Sequence, residues 1–204
     1  MLKTLEDLSA QKAALFLAVL AVGSALLSNY VTYVPNSDRF PELGGAPLLP
    51  GIYFGLVIWI GVFLWEKKSA AAFVIIVVGV VIAWILAWRT GIAVHDFLNE
   101  IRTGNPAAGT DRKLPYIFMI AGFVAGLVGA FVTVIVTSIA CPDFREPTDW
   151  LRTIAIGAVA GMLLHFGDTP NGSVLPLFVV WQAAVAASVA YGLVIPPPRK
   201  PRTR

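Results

Sequence analysis

The residues best suited to chemistry in this 204-residue chain are few, and most stand at the ends of apolar runs. His165 and Asp168 occupy the stretch His165-Phe166-Gly167-Asp168-Thr169-Pro170-Asn171-Gly172-Ser173. An imidazole titrates near neutrality and a neighbouring carboxylate tunes it, the pairing a proton-handling site needs. The same stretch also suits an interfacial turn whose polar groups face lipid headgroups, and that is the reading preferred. Its Asn171-Gly172-Ser173 sequon carries meaning only in a glycosylating secretory pathway.

His95, Asp96 and Glu100 form a second polar cluster. On a helix His95 and Glu100 share a face poorly, because side-chain neighbours lie three or four residues apart. Solvated loop charges are therefore expected there. Two histidines and the single cysteine, Cys141, make a poor metal-ligand set, so no metal site is expected. Cys141 also has no partner for an internal disulfide, which leaves the redox compartment open. Asn29 and Gln182 are amides inside apolar runs, costly in hydrocarbon unless hydrogen-bonded, so each is expected to face another helix. His165, Asp168, Gln182 and Asn29 together are the candidate polar site. Intramembrane proteolysis needs a serine–histidine pair or paired aspartates within the bilayer, and nothing marks Ser24 or Ser138 as a nucleophile. Glycine-rich phosphate loops and paired cysteines are missing as well, so neither catalysis nor a cofactor is expected.

The elements that must hold these groups are six apolar runs, at about 13–34, 46–65, 69–88, 115–140, 151–166 and 174–195. Roughly 20 apolar residues cross a hydrocarbon layer about 30 Å thick, and only helices or closed barrels satisfy the backbone there. The runs are too apolar for alternating barrel strands. The chain reads as an all-α, six-span transmembrane bundle in contact with a lipid bilayer, with Asp, Glu, Lys and Arg kept out of the span interiors. Composition agrees: 57% of residues are hydrophobic and 13% charged, against about a quarter charged in soluble proteins. Mean hydropathy is +0.78 and the pI is near 9.2. The polar stretches 35–45 and 89–114 are loop-sized, which leaves no room for a soluble domain. No basic patch is interleaved with exposed aromatics, so the net charge of +3 points to membrane surfaces and away from nucleic acid.

Lys3, followed by an apolar run and small residues, imitates a signal peptide. That run extends to Val34, beyond a signal's roughly 7–15 apolar residues, and reads as a retained first span. Thr4 and Asp7 read as a capping box for a short surface helix. Ten basic residues fall at the two termini and in the second and fourth connections, against five on the opposite side. The positive-inside rule then places both termini in the cytoplasm of a bacterial-type inner membrane. Trp65, Trp88 and Trp150 stand at span ends as interfacial anchors. Ile92, Phe97 and Ile101 suggest an interfacial amphipathic turn or two in the 89–114 loop. The expected division is a cytoplasmic segment 1–12, a membrane domain 13–195 and a basic tail 196–204.

Small residues recur every four positions in the fourth span, as Ala121, Ala125, Gly129, Thr133, Thr137 and as Gly122, Gly126, Ala130. Gly79 and Ala83 in the third span, Gly157 and Gly161 in the fifth, and Ser188 and Gly192 in the sixth continue the pattern. Such ridges let helix backbones approach closely. Packing within the bundle is favoured over a homo-oligomer interface. The spans also divide into two sets of three, the arrangement of inverted repeats, although the halves share no residue-level similarity. The expectation is a non-catalytic structural or accessory subunit that docks through its small-residue faces to a membrane protein partner or to itself. The alternative is a small channel or transporter with short second and fifth spans lining the path. The absence of intramembrane carboxylates weighs against ion-coupled transport.

Overall fold

The structure is a computed structural model that describes residues 8–33, 42–43, 45–66, 70–103, 115–142, 144, 146–168 and 173–194. Its helices are α1 (Ala10–Tyr33), α2 (Leu49–Glu66), α3 (Ala70–Thr103), α4 (Pro115–Ala140), α5 (Pro147–Gly161) and α6 (Leu175–Val194). A 3-10 segment, Met162–Asp168, continues α5. Two short strands, β1 (Glu42–Leu43) and β2 (Ala46–Pro47), pair antiparallel ahead of α2. Gly45, at φ 79°, turns the chain between them, a conformation that a side chain would strain.

Among the described residues six helices are long and apolar enough to cross a membrane, so the protein is an all-α, multi-pass integral membrane protein. Each helix packs on its chain neighbours, and α1 closes the ring on α6, with α2 also touching α6. Sequential order accounts for the neighbour contacts, with or without inverted halves, and not for the closure of α1 on α6. The inward faces meet in one core built from Leu17 and Ala21, Ile58 and Val62, Ile76 and Val80, Ala130 and Val134, and Val185 and Val189. Outward faces are equally apolar: Val74, Val78, Ile82 and Leu86 form an exposed stripe on α3, and Ile120, Phe123, Leu127 and Phe131 one on α4. Stripes of this extent are stable against lipid and not against water.

The boundaries depart from the sequence reading in three places. The third span continues past Trp88 to Thr103, because Arg89, His95 and Asp96 are tolerated on a helix and no Gly-Pro break intervenes. At 1.5 Å per residue its 34 residues rise about 51 Å. Most of the supposed 89–114 loop is thus helical, and Ile92, Phe97 and Ile101 are exposed residues of α3. The fifth span begins at Pro147, where a missing N–H costs little, so Arg152 is a helical residue and not a loop residue. With its 3-10 extension it rises about 36 Å, so the fifth span is not short. In the second span, Ala46 and Pro47 belong to β2 and the helix starts at Leu49. Thr4, Asp7, the Asn171-Gly172 pair, the basic tail and the Asp168 side chain lie outside the described residues.

Candidate ligand cavity

One stripe of α3 supplies Trp84, Trp88, Gly91 and His95, residues three or four apart and therefore on one helix face. Phe118 and Ala125 of α4, Leu164 of the 3-10 segment, and Phe178 and Trp181 of α6 face it across a cavity of about 380 Å³. The volume lies within the roughly 300–1,000 Å³ of small-molecule sites. The aromatic rings brace one another: Trp84 and Trp88 are 5.9 Å apart, Trp84 and Phe178 5.4 Å, and Trp181 and Phe54 of α2 5.3 Å. The Trp84 indole N–H donates to the Pro47 carbonyl at 2.7 Å, which ties the β-hairpin to this wall. The Trp181 indole N–H is buried and has no acceptor among the described residues.

The back wall is bare backbone. A side chain at Gly122 would run into the Gly161 carbonyl, and one at Gly126 into the Gly157 carbonyl, so α4 and α5 touch along their glycines. Gly122, Gly126 and Gly161 line the cavity from this seam.

Charged and titratable side chains are confined to one end. His95 Nδ1 and Asp96 Oδ1 are 3.1 Å apart, and Asn99 Nδ2 lies 3.2 Å from His95 Nε2. The His95 ring rests on Phe118, centroids 4.5 Å apart. The Asp96 side chain is 62% exposed and that of His95 28%, so this rim is wet while the interior is apolar. His95 and Asp96 are the titratable groups among the cavity's lining residues. It can bind and orient an apolar molecule.

Gln182, Asn29 and His165 share no hydrogen bond with one another among the described residues. Gln182 is buried between α1 and α6, where it accepts from the Ser24 hydroxyl at 2.7 Å and donates to Ser28 Oγ at 3.3 Å. Ser28 in turn donates to the Ser24 carbonyl at 2.8 Å. Asn29 stands beside Ser28 in sequence, yet its Oδ1 is buried with no donor among the described residues. His165 is half-buried, its Nδ1 2.9 Å from the Met162 carbonyl and its ring against Phe166, and no hydrogen bond joins it to Gln182 or Asn29. Ser138 is held by its own helix and the next turn, its hydroxyl 2.8 Å from the Val134 carbonyl and 2.7 Å from that of Phe144.

Of the small residues, Gly122, Gly126, Gly157 and Gly161 meet in the α4–α5 seam, and a side chain on Gly157 would also meet Ala130. Gly79 lies against Val136, and Gly129 against Ala87 and Trp181. Ala83 and Ala121 are buried, and Ala125 is partly exposed at the cavity wall. Thr133 and Thr137 donate to carbonyls of their own helix, each at 2.8 Å. Gly192 leaves room for Phe144 and Asp149, and Ser188 receives the Arg152 Nε–H at 3.1 Å. Arg152 also donates to the Ser188 carbonyl at 2.9 Å, pairs with Asp149 at 2.9 Å and lies over the Tyr191 ring, which pins α5 to α6.

Comparison with known proteins yields no match, whether to a family model, to a curated protein or to a solved structure.

Trp84, Phe178, Trp181 and Phe118 escaped the sequence reading, which took Trp88 for an anchor and did not place the others. The readable signal was their spacing: tryptophans four apart on one span and a Phe-Trp pair three apart on another.

Proposed function

We propose that the protein is a non-catalytic integral membrane protein that takes an apolar ligand into the cavity between α3, α4 and α6. The observation that carries this reading is a 380 Å³ space walled by three tryptophans and two phenylalanines, with its titratable groups at one end only. A ligand that fills it gains dispersion contacts with these walls that an empty space lacks. The positive-inside count supports an inner-membrane placement with both termini cytoplasmic, the cavity then lying in the extracytoplasmic half.

The accessory-subunit reading through small-residue faces loses support where those faces are already used, as at the Gly122–Gly161 and Gly126–Gly157 contacts. A partner would have to dock elsewhere. For a channel, the inward amides and hydroxyls at Gln182, Ser24 and Ser28 satisfy one another, which leaves little for a passing solute. The test is saturable quenching of tryptophan fluorescence in purified, reconstituted protein by brominated apolar probes. Solute or ion flux through liposomes that is abolished by a change at Gln182 would favour the channel instead.

A further inference from the structure

The shape of the cavity restricts its occupant. Its α3 lining runs from Trp84 to Asp96, about 18 Å at 1.5 Å per residue. A space this long and this apolar suits an extended hydrocarbon chain. A compact molecule would leave much of the slot empty, and an apolar void of this kind neither holds water well nor keeps its packing contacts.

The two ends of the slot differ in the way an amphiphile requires. Trp181, Phe178 and Gly126 form the inner end, while His95 and Asp96 form the other. That rim lies two turns beyond Trp88, past the end of the apolar stretch of α3, at the level where headgroups sit. Ile92 lines the slot and is 49% exposed, so the opening lies along α3. Asp96 lines this rim and its carboxylate only accepts hydrogen bonds, which suits a headgroup carrying an ammonium.

Resting on the ligand-cavity reading, we propose that the slot between α3, α4 and α6 holds one acyl chain of a bilayer glycerophospholipid, with its headgroup at the His95–Asp96 rim. The lipid comes from the leaflet on the side of the α3–α4 connection. The surrounding bilayer presents such chains at bulk concentration, so occupancy needs no high affinity.

The test uses the full chain in phosphatidylcholine vesicles whose acyl chains carry bromine either near the tail or near the headgroup. Tail bromine should quench a fluorescence component that disappears in Trp181→Phe, and head-proximal bromine one that disappears in Trp88→Phe. Ala125→Phe, which fills the slot, should abolish the Trp181 component at unchanged helix content. Tail quenching that Trp181→Phe leaves unaltered overturns the proposal. So does a reversed depth order. In unbrominated vesicles, a compact bromobenzene probe that saturably quenches Trp181, when brominated lipid does not, refutes the chain and keeps the cavity reading. A brominated fatty acid that succeeds where the lipid fails makes the occupant a free amphiphile and refutes the lipid. If no probe reaches Trp181, both readings fall together.

Discussion

Substituting Gly126 by alanine adds one methyl group where the structure has none to spare. The new Cβ would overlap the Gly157 carbonyl oxygen and lie 3.0 Å from the Gly161 Cα. Both neighbours are backbone, which cannot rotate away as a side chain tip can, so the helices must separate. Overpacking of this kind costs about 1–3 kcal/mol. Alanine's better helix propensity returns at most about 1 kcal/mol of that. Gly23 of α1 is the internal control, because nothing lies within 4 Å of a Cβ built there. Gly23→Ala keeps the propensity gain without the clash. A chain of this length shifts about 2–4 °C per kcal/mol, so Gly126→Ala should melt up to about 10 °C below the parent in detergent, while Gly23→Ala should melt at or above it. Circular dichroism of both proteins against temperature decides the matter. Equal melting of Gly126→Ala and Gly23→Ala would show that α4 and α5 do not touch along this seam.

Gln182→Leu should lower stability by about 0.6–1.7 kcal/mol, the range of interhelical hydrogen bonds in membranes. The effect should shrink in a Ser24→Ala background, and strictly additive melting shifts would disprove the coupling. Arg152→Met, which leaves Asp149 unpaired against Gly192, should destabilise more than the Asp149→Leu/Arg152→Met double variant, because a stranded charge costs more than an absent pair. The reverse order of melting temperatures would mean that Asp149 reaches water. Reporter fusions at Arg204 and at Asn105 should lie on opposite sides of the membrane, as an odd number of spans between them requires. Same-side signals would break the six-span count.

Apolar run length was enough to show the number and type of elements, because hydrocarbon imposes helix on any such stretch. The ends were harder to read, and for one physical reason. Charge was treated as a stop signal, whereas charge on a helix ends nothing once it finds a partner. Arg152 is carried inside α5 by Asp149, Ser188 and the Tyr191 ring, partners that lie 36 or more residues away for two of the three. His95 and Asp96 pair on α3 beyond its apolar stretch, and Arg89 is exposed there. The cavity was illegible for a different reason. Four segments create it, and no local pattern states that Trp84, Phe118, Leu164 and Trp181 border one space. Gln182 was marked as a buried amide in need of a partner, yet only the fold shows that Ser24 and Ser28 supply it.

The glycine seam limits how this protein can change. Any side chain at Gly122, Gly126 or Gly161 would push α4 from α5, so one side of the cavity is fixed as naked main chain. Drift in ligand preference must then be written on the facing helices, at Trp84, Trp88 and Gly91 of α3 and at Leu177, Phe178 and Trp181 of α6. Among descendants of such a chain, diversity should gather on those two helices while the seam stays constant, a mould with one rigid half and one half free to be recut.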